Sequence, residues 1–165
     1  MKRAEANTVT GDLQKLWWDW LSTSERLLRS LHEQTAAFTL KDLVRAERIR
    51  PELDALINQM RKIDSDAMAS ARKLAESLGA ETSLRGLVRV LDKTEGQQLQ
   101  ALANRVMVAA RNVQAVIDKN QAIVKNEMAN VGGTLSLIAR AAGENPSSYK
   151  KKKSGHAAVL LDQAV

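Results

Sequence analysis

The side chains in this chain that could do chemistry are few, and their spacing argues against a reaction. His32 and His156 are the only histidines, and there is no cysteine. Neither histidine has a carboxylate at ligand spacing, and the lack of cysteine excludes disulfides and thiolate metal sites. Asp64 and Asp66, in "KIDSDAM", stand two apart; on a helix that turns them to different faces, a solvated acidic spot rather than a metal pair. No segment reads as a strand, so no glycine-rich phosphate loop follows one, and GxxxxGK[ST] is absent. The chain is therefore expected to be no enzyme and to need no metal or cofactor.

What remains is binding chemistry. In "LWWDWL", Trp17 and Trp20 fall on one apolar stripe and read as core, while Trp18 falls off it and reads as an exposed anchor. The run Lys150 to Lys153 supplies four of the formal net charge of +6. A nucleic-acid surface would carry its cations as a stripe on a folded face with stacking aromatics among them. Here the other cations alternate with acids and aromatics make up only 3% of the chain, so the lysine run reads as a solvated tail and nucleic acid is not the expected partner.

The elements that must position any such surface are helices. Leu, Ala, Val and Ile supply most of a 44% hydrophobic composition, and two prolines leave room for long uninterrupted segments. Gly11 and Asp12 read as a turn and N-cap opening a first helix from about Asp12 to Phe38, with Leu13, Trp17, Trp20, Ser24, Leu27, Leu31, Thr35 and Phe38 on one face. Thr39 with Asp42 is an approximate capping box for a second helix opening at Leu40. Pro51 is expected to kink that helix or restart it, and Gly79 to end it. Thr82 or Ser83 caps a short helix carrying Leu84, Leu87, Val88 and Leu91, which reverses the chain.

A last helix is expected from about Thr94 to Ala142, a rod of roughly 70 Å at ~1.5 Å per residue. Its stripe runs Leu99, Leu102, Val106, Ala110, Val113, Ile117, Asn120, Val124, Met128, Val131, Leu135, Ile138. Two successive steps of four after Asn120 form a stutter, and an Asn on such a seam fixes register at some cost in stability. Gly132 and Gly133 then weaken the distal helix by about 1 kcal/mol each relative to Ala. An apolar stripe on a locally weak helix suits a surface that orders on a partner. The fold class is thus all-α, with long antiparallel helices in an extended bundle or coiled-coil-like rod and one short connecting helix. Residues 1–11 are expected to be a flexible lead, 12–143 one helical domain and 144–165 a disordered basic tail. No apolar run has signal-peptide or membrane-span length, so the expected compartment is the cytoplasm.

The order of these segments resembles the FlgN family of flagellar export chaperones. The likeness rests on "FTLKDLVRAERIRPELDALINQM", the "LAESLG" turn and the closing helix, and above all on Asn120, Ile123-Val124, Met128, Val131, Leu135 and Ile138, followed by a Gly-Glu-Asn-Pro break and by Tyr149 with Gly155. The resemblance implies a cytosolic chaperone that binds the C-terminal segments of hook-associated (hook-filament junction) proteins, prevents their premature assembly and delivers them to the flagellar type III export apparatus. It also implies that binding lies in the C-terminal region, here Asn120, Ile123, Val124, Met128, Val131, Leu135, Ile138 and Tyr149. Read without the resemblance, the same stripe also fits a structural coiled-coil protein in which copies of the chain pair into a homo-oligomer. A nucleic-acid or membrane-surface binder acting through the basic tail is the remaining alternative.

Overall fold

The computed structural model describes residues 2–141 of the 165-residue chain. Four helices follow in order: α1 (Lys2–Thr39), α2 (Leu43–Leu78), α3 (Leu84–Val90) and α4 (Lys93–Ala141), and no strand occurs among the described residues. The all-α expectation is met.

α1 begins at Lys2 rather than at Asp12, so the segment expected to precede the helix belongs to it and the turn at Gly11-Asp12 is absent. A helical Gly11 costs about 1 kcal/mol relative to Ala. Burial on either side offsets that cost: Thr10 and Leu13 are buried, and Val9 packs on the cluster of Leu13, Leu74, Leu87 and Leu99.

α1 ends in a Schellman motif whose left-handed residue is Lys41, with φ 57°. The Asp42 N–H donates to Ala37 O at 2.8 Å and the Lys41 N–H to Phe38 O at 3.1 Å, which satisfies two otherwise orphaned carbonyls. The second helix is capped by Asp42, whose Oδ1 accepts the Arg45 N–H at 3.0 Å, and not by Thr39. Thr39 instead closes α1, its hydroxyl donating to Thr35 O. α2 then runs as one helix with Pro51 inside it, without the restart that proline allowed. Ile49 and Leu53, on either side of Pro51, are both buried against α1, and that packing holds the helix together across the missing N–H. Gly79 ends α2 in the left-handed conformation, with φ 62°.

Ser83 caps α3, accepting the Gly86 N–H at 3.0 Å. A Cβ on Gly86 would stand 2.5 Å from Glu81 O, so this tight entry admits only glycine. α4 is capped by Asp92, whose Oδ1 accepts the Glu95 N–H at 2.8 Å. The short helix thus turns the chain around and launches the longest element.

α1 packs along both α2 and α4, whose backbones nowhere come within 8 Å of each other among the described residues. α2 returns antiparallel to α1, and α4, after the second reversal, runs parallel to it: Leu99 clusters with Leu13, Asn120 bonds to the Leu31–Thr35 turn, and Lys41 reaches Glu127. Two apolar clusters hold the rod. One joins Trp20, Leu27, Leu31, Leu53, Leu56 and Met60 to Val113; the other closes the α3 end around Leu13, Leu74, Leu87 and Leu99. Trp20 is buried and Trp17 half-buried, as the stripe required, while Trp18 is exposed with the Arg105 guanidinium 5.4 Å from its ring centroid.

Candidate functional site

The α4 stripe changes character at one residue. Up to Asn120 its apolar members lie against α1: Leu99, Leu102 and Val113 are buried, and Val106, Ala110 and Ile117 pack half-buried on the core. Asn120 itself is 2% exposed. Beyond it, exposure climbs to 36% at Val124, 70% at Met128 and 59% at Ile138, with Leu137 also exposed. The repeat continues while its cover does not, because α1 stops at Thr39 and the chain turns away into α2.

Asn120 sits at that boundary as a pin. Its Nδ2 donates to Leu31 O at 3.0 Å and to Gln34 Oε1 at 2.9 Å, and its Oδ1 accepts from the Thr35 hydroxyl. Thr35 Oγ1 also lies 2.9 Å from Leu31 O, but it has one proton to give, and Leu31 O already receives the Asn120 amide. Every polar atom of the Asn120 amide therefore points into α1. Burial of an amide without such partners costs several kcal/mol, so this one is tolerated only in the register that pairs it with the Leu31–Thr35 turn.

The residues named from the sequence divide accordingly. Asn120 is enclosed by α1, Ile123 is half-buried, and Val124, Met128 and Ile138 face solvent on the overhanging part of α4. Val131 and Leu135 lie on the same helix, their side chains outside the described set, and Tyr149 lies outside the described residues together with Lys150 to Lys153. Gly132 and Gly133 stand in the overhang with open space around them, so neither is required by a close neighbour among the described residues.

Sequence reasoning missed a second apolar group. Leu40, Leu43 and Val44, at the α1–α2 turn, are 70%, 73% and 71% exposed. They were hidden among the charges of "LKDLVRAERIR", yet Leu43 and Val44 fall out of phase with the buried series Ile49, Leu53, Leu56, a signal that they cannot share its face. Among the described residues no group of three or more His, Cys, Asp or Glu could hold a metal ion, and no helix is long and apolar enough to cross a membrane.

The model of the family described as FlgN protein matches residues 9–156, which is most of the chain. The chain belongs to the FlgN family. This is a family of flagellar export chaperones, so the overhanging apolar stripe belongs to a protein whose relatives work by binding flagellar proteins rather than by catalysis. The match starts within α1 and runs past the end of α4, and so takes in part of α1 and all of α2, α3 and α4 of this FlgN-family chain. No curated protein and no solved structure matches the chain.

Proposed function

We propose that this FlgN-family protein is a cytosolic chaperone for hook-associated proteins, and that it holds their C-terminal segments on the distal part of α4 until they are delivered to the flagellar export apparatus. The observation that carries the reading is the loss of cover along one continuous stripe, from 2% exposure at Asn120 to 70% at Met128. Exposed apolar side chains at helical spacing offer a partner the hydrophobic gain that α1 collects nearer the base. Ile123, Val124, Met128, Val131, Leu135 and Ile138 would form the contact, with Met128 adapting to different partner side chains. Asn120 acts from inside, by setting where the covered part ends. Tyr149 and the lysine tail would extend the surface or guide the encounter.

The test is titration of a C-terminal segment of a hook-filament junction protein into the full chain, followed calorimetrically, for wild type and for Met128→Asp with Ile138→Asp. Both positions are exposed, so helicity by circular dichroism is expected to stay unchanged while affinity falls at least tenfold. Equal affinity in a folded double variant would remove distal α4 from the site. The same exposed stripe supports a second reading, pairing of two copies of the chain; a concentration-dependent mass without any effect of the double variant on the titration would favour it.

A further inference from the structure

Resting on distal α4 as the client surface, we infer that the α1–α2 turn is the other half of the site, and that the occupant is an amphipathic helix lying in line with α1 and abutting Leu40, Leu43 and Val44.

The geometry comes from the parallel run of α1 and α4. Asn120 is level with the Leu31–Thr35 turn, and Lys41 Nζ stands 3.4 Å from Glu127 Oε2, so the end of α1 is level with Glu127. From there α4 continues alone to Ala141, about 20 Å at ~1.5 Å per residue. The apolar turn residues therefore sit at the foot of the uncovered stretch, where the space that α1 fills beside α4 becomes empty. Three aliphatic side chains more than two-thirds exposed within five residues form a patch left unused among the described residues.

The occupant follows from continuity with the α1–α4 interface. The stripe of three- and four-residue steps that α1 covers carries on through the stutter after Asn120 and past Glu127, so the element that completes it is the kind that already packs there, a helix with one apolar face. An extended segment fits worse: α4 satisfies its backbone groups internally and offers no edge, and a strand laid on it would bury N–H and C=O groups without partners. Charge narrows the choice further. Near the turn the acids are engaged, Glu127 by Lys41, Asp42 by the Arg45 N–H and Glu47 by Arg50, whereas Arg48, one turn from Val44 on the same face of α2, has no acidic partner among the described residues. The helix that docks there carries acidic residues beside its apolar face.

The experiment compares the full chain with Leu43→Ser plus Val44→Ser, using the same junction-protein segment in calorimetry. Both residues are exposed and the Asp42 cap is untouched, so the fold is expected to persist and affinity to fall about tenfold. Arg48→Glu is expected to weaken binding several-fold at low salt and less at high salt. If the serine pair binds like wild type while Met128→Asp with Ile138→Asp loses binding, the turn is no part of the site and the α4 reading survives; if neither pair matters, both readings fall. A photo-crosslinking residue in place of Val44 identifies the occupant: cross-links to one end of the client segment are expected. Cross-links to a second copy or to the chain's own residues beyond Ala141, undiminished by client, would overturn the proposal.

Discussion

Asn120 and Asp64 are two polar side chains taken out of water with opposite results. Asn120 is paid back in full by Leu31 O, Gln34 and Thr35, and turns its burial into a register lock between α1 and α4. Asp64, half-buried on α2, is not. Burial pushes its pKa above the ordinary carboxylate value, and the indole N–H of Trp20, near enough to pull it down somewhat, does not reach hydrogen-bond geometry and has no other acceptor. A carboxylate whose folded pKa is raised holds protons more tightly when folded. It therefore costs stability at neutral pH, a cost relieved as pH falls through the folded value toward the ordinary carboxylate value of 3.8. Asp64→Asn is expected to raise the melting temperature at pH 7, with the difference from wild type shrinking to near zero below pH ~3.5. A pH-independent difference would mean that packing, not ionisation, separates the two proteins.

At the scale of elements, the ends of the helices determine how much of each is available. The α1–α2 connection is short because two motifs overlap in it, a Schellman closure ending at Asp42 and an N-cap starting from the same residue. That economy places Lys41 in the left-handed region, which costs a non-glycine residue roughly 1–2 kcal/mol. Its exposed pair with Glu127 returns at most about 1 kcal/mol. Lys41→Gly is therefore expected to stabilise the protein by about 0.5–1 kcal/mol in urea melts, and Lys41→Ala, which keeps the strain and loses the pair, to destabilise it slightly. Equal effects from the two would show that the turn is unstrained. The caps at Asp42, Ser83 and Gly79 obey local rules legible in a few residues, although the first was misplaced to Thr39 because both residues are good caps and only the turn geometry chooses between them. The start of α1 was misplaced for a different reason. Gly11 reads locally as a breaker, and the burial that overrules it comes from Leu74, Leu87 and Leu99, far away in the chain.

For the whole molecule the decisive fact is a mismatch of lengths. α4 runs to Ala141, while α1, parallel to it, ends level with Glu127, so among the described residues the rod has a packed part and a single-helix overhang. An uncovered helix about a dozen residues long, interrupted by Gly132-Gly133, is marginal without tertiary support. Amide hydrogen exchange is expected to separate the two parts by orders of magnitude, with amides near Leu102 to Val113 protected to the level of global unfolding and those from Met128 to Ala141 exchanging quickly. Bound client should slow the second group selectively. Uniform protection along α4 in the free protein would mean that something in the chain covers the overhang.

How much of this was readable beforehand follows from the range over which each feature is set. By itself the sequence determined the helical class, the apolar faces of the helices, the glycine stop at Gly79, the capped entry to α3 and the break in the α4 repeat at Asn120, because periodicity and capping act over one to two turns. The family resemblance was legible for the same reason, in the residues around Asn120 and beyond. Only the tertiary structure decided which members of the α4 stripe are spent on α1 and which remain open. The stutter after Asn120 changes the repeat but does not say where its partner ends; that point is set by the parallel alignment of α1 with α4 and by the turn at Lys41, two features joined across more than eighty residues of chain through the Asn120 and Glu127 contacts.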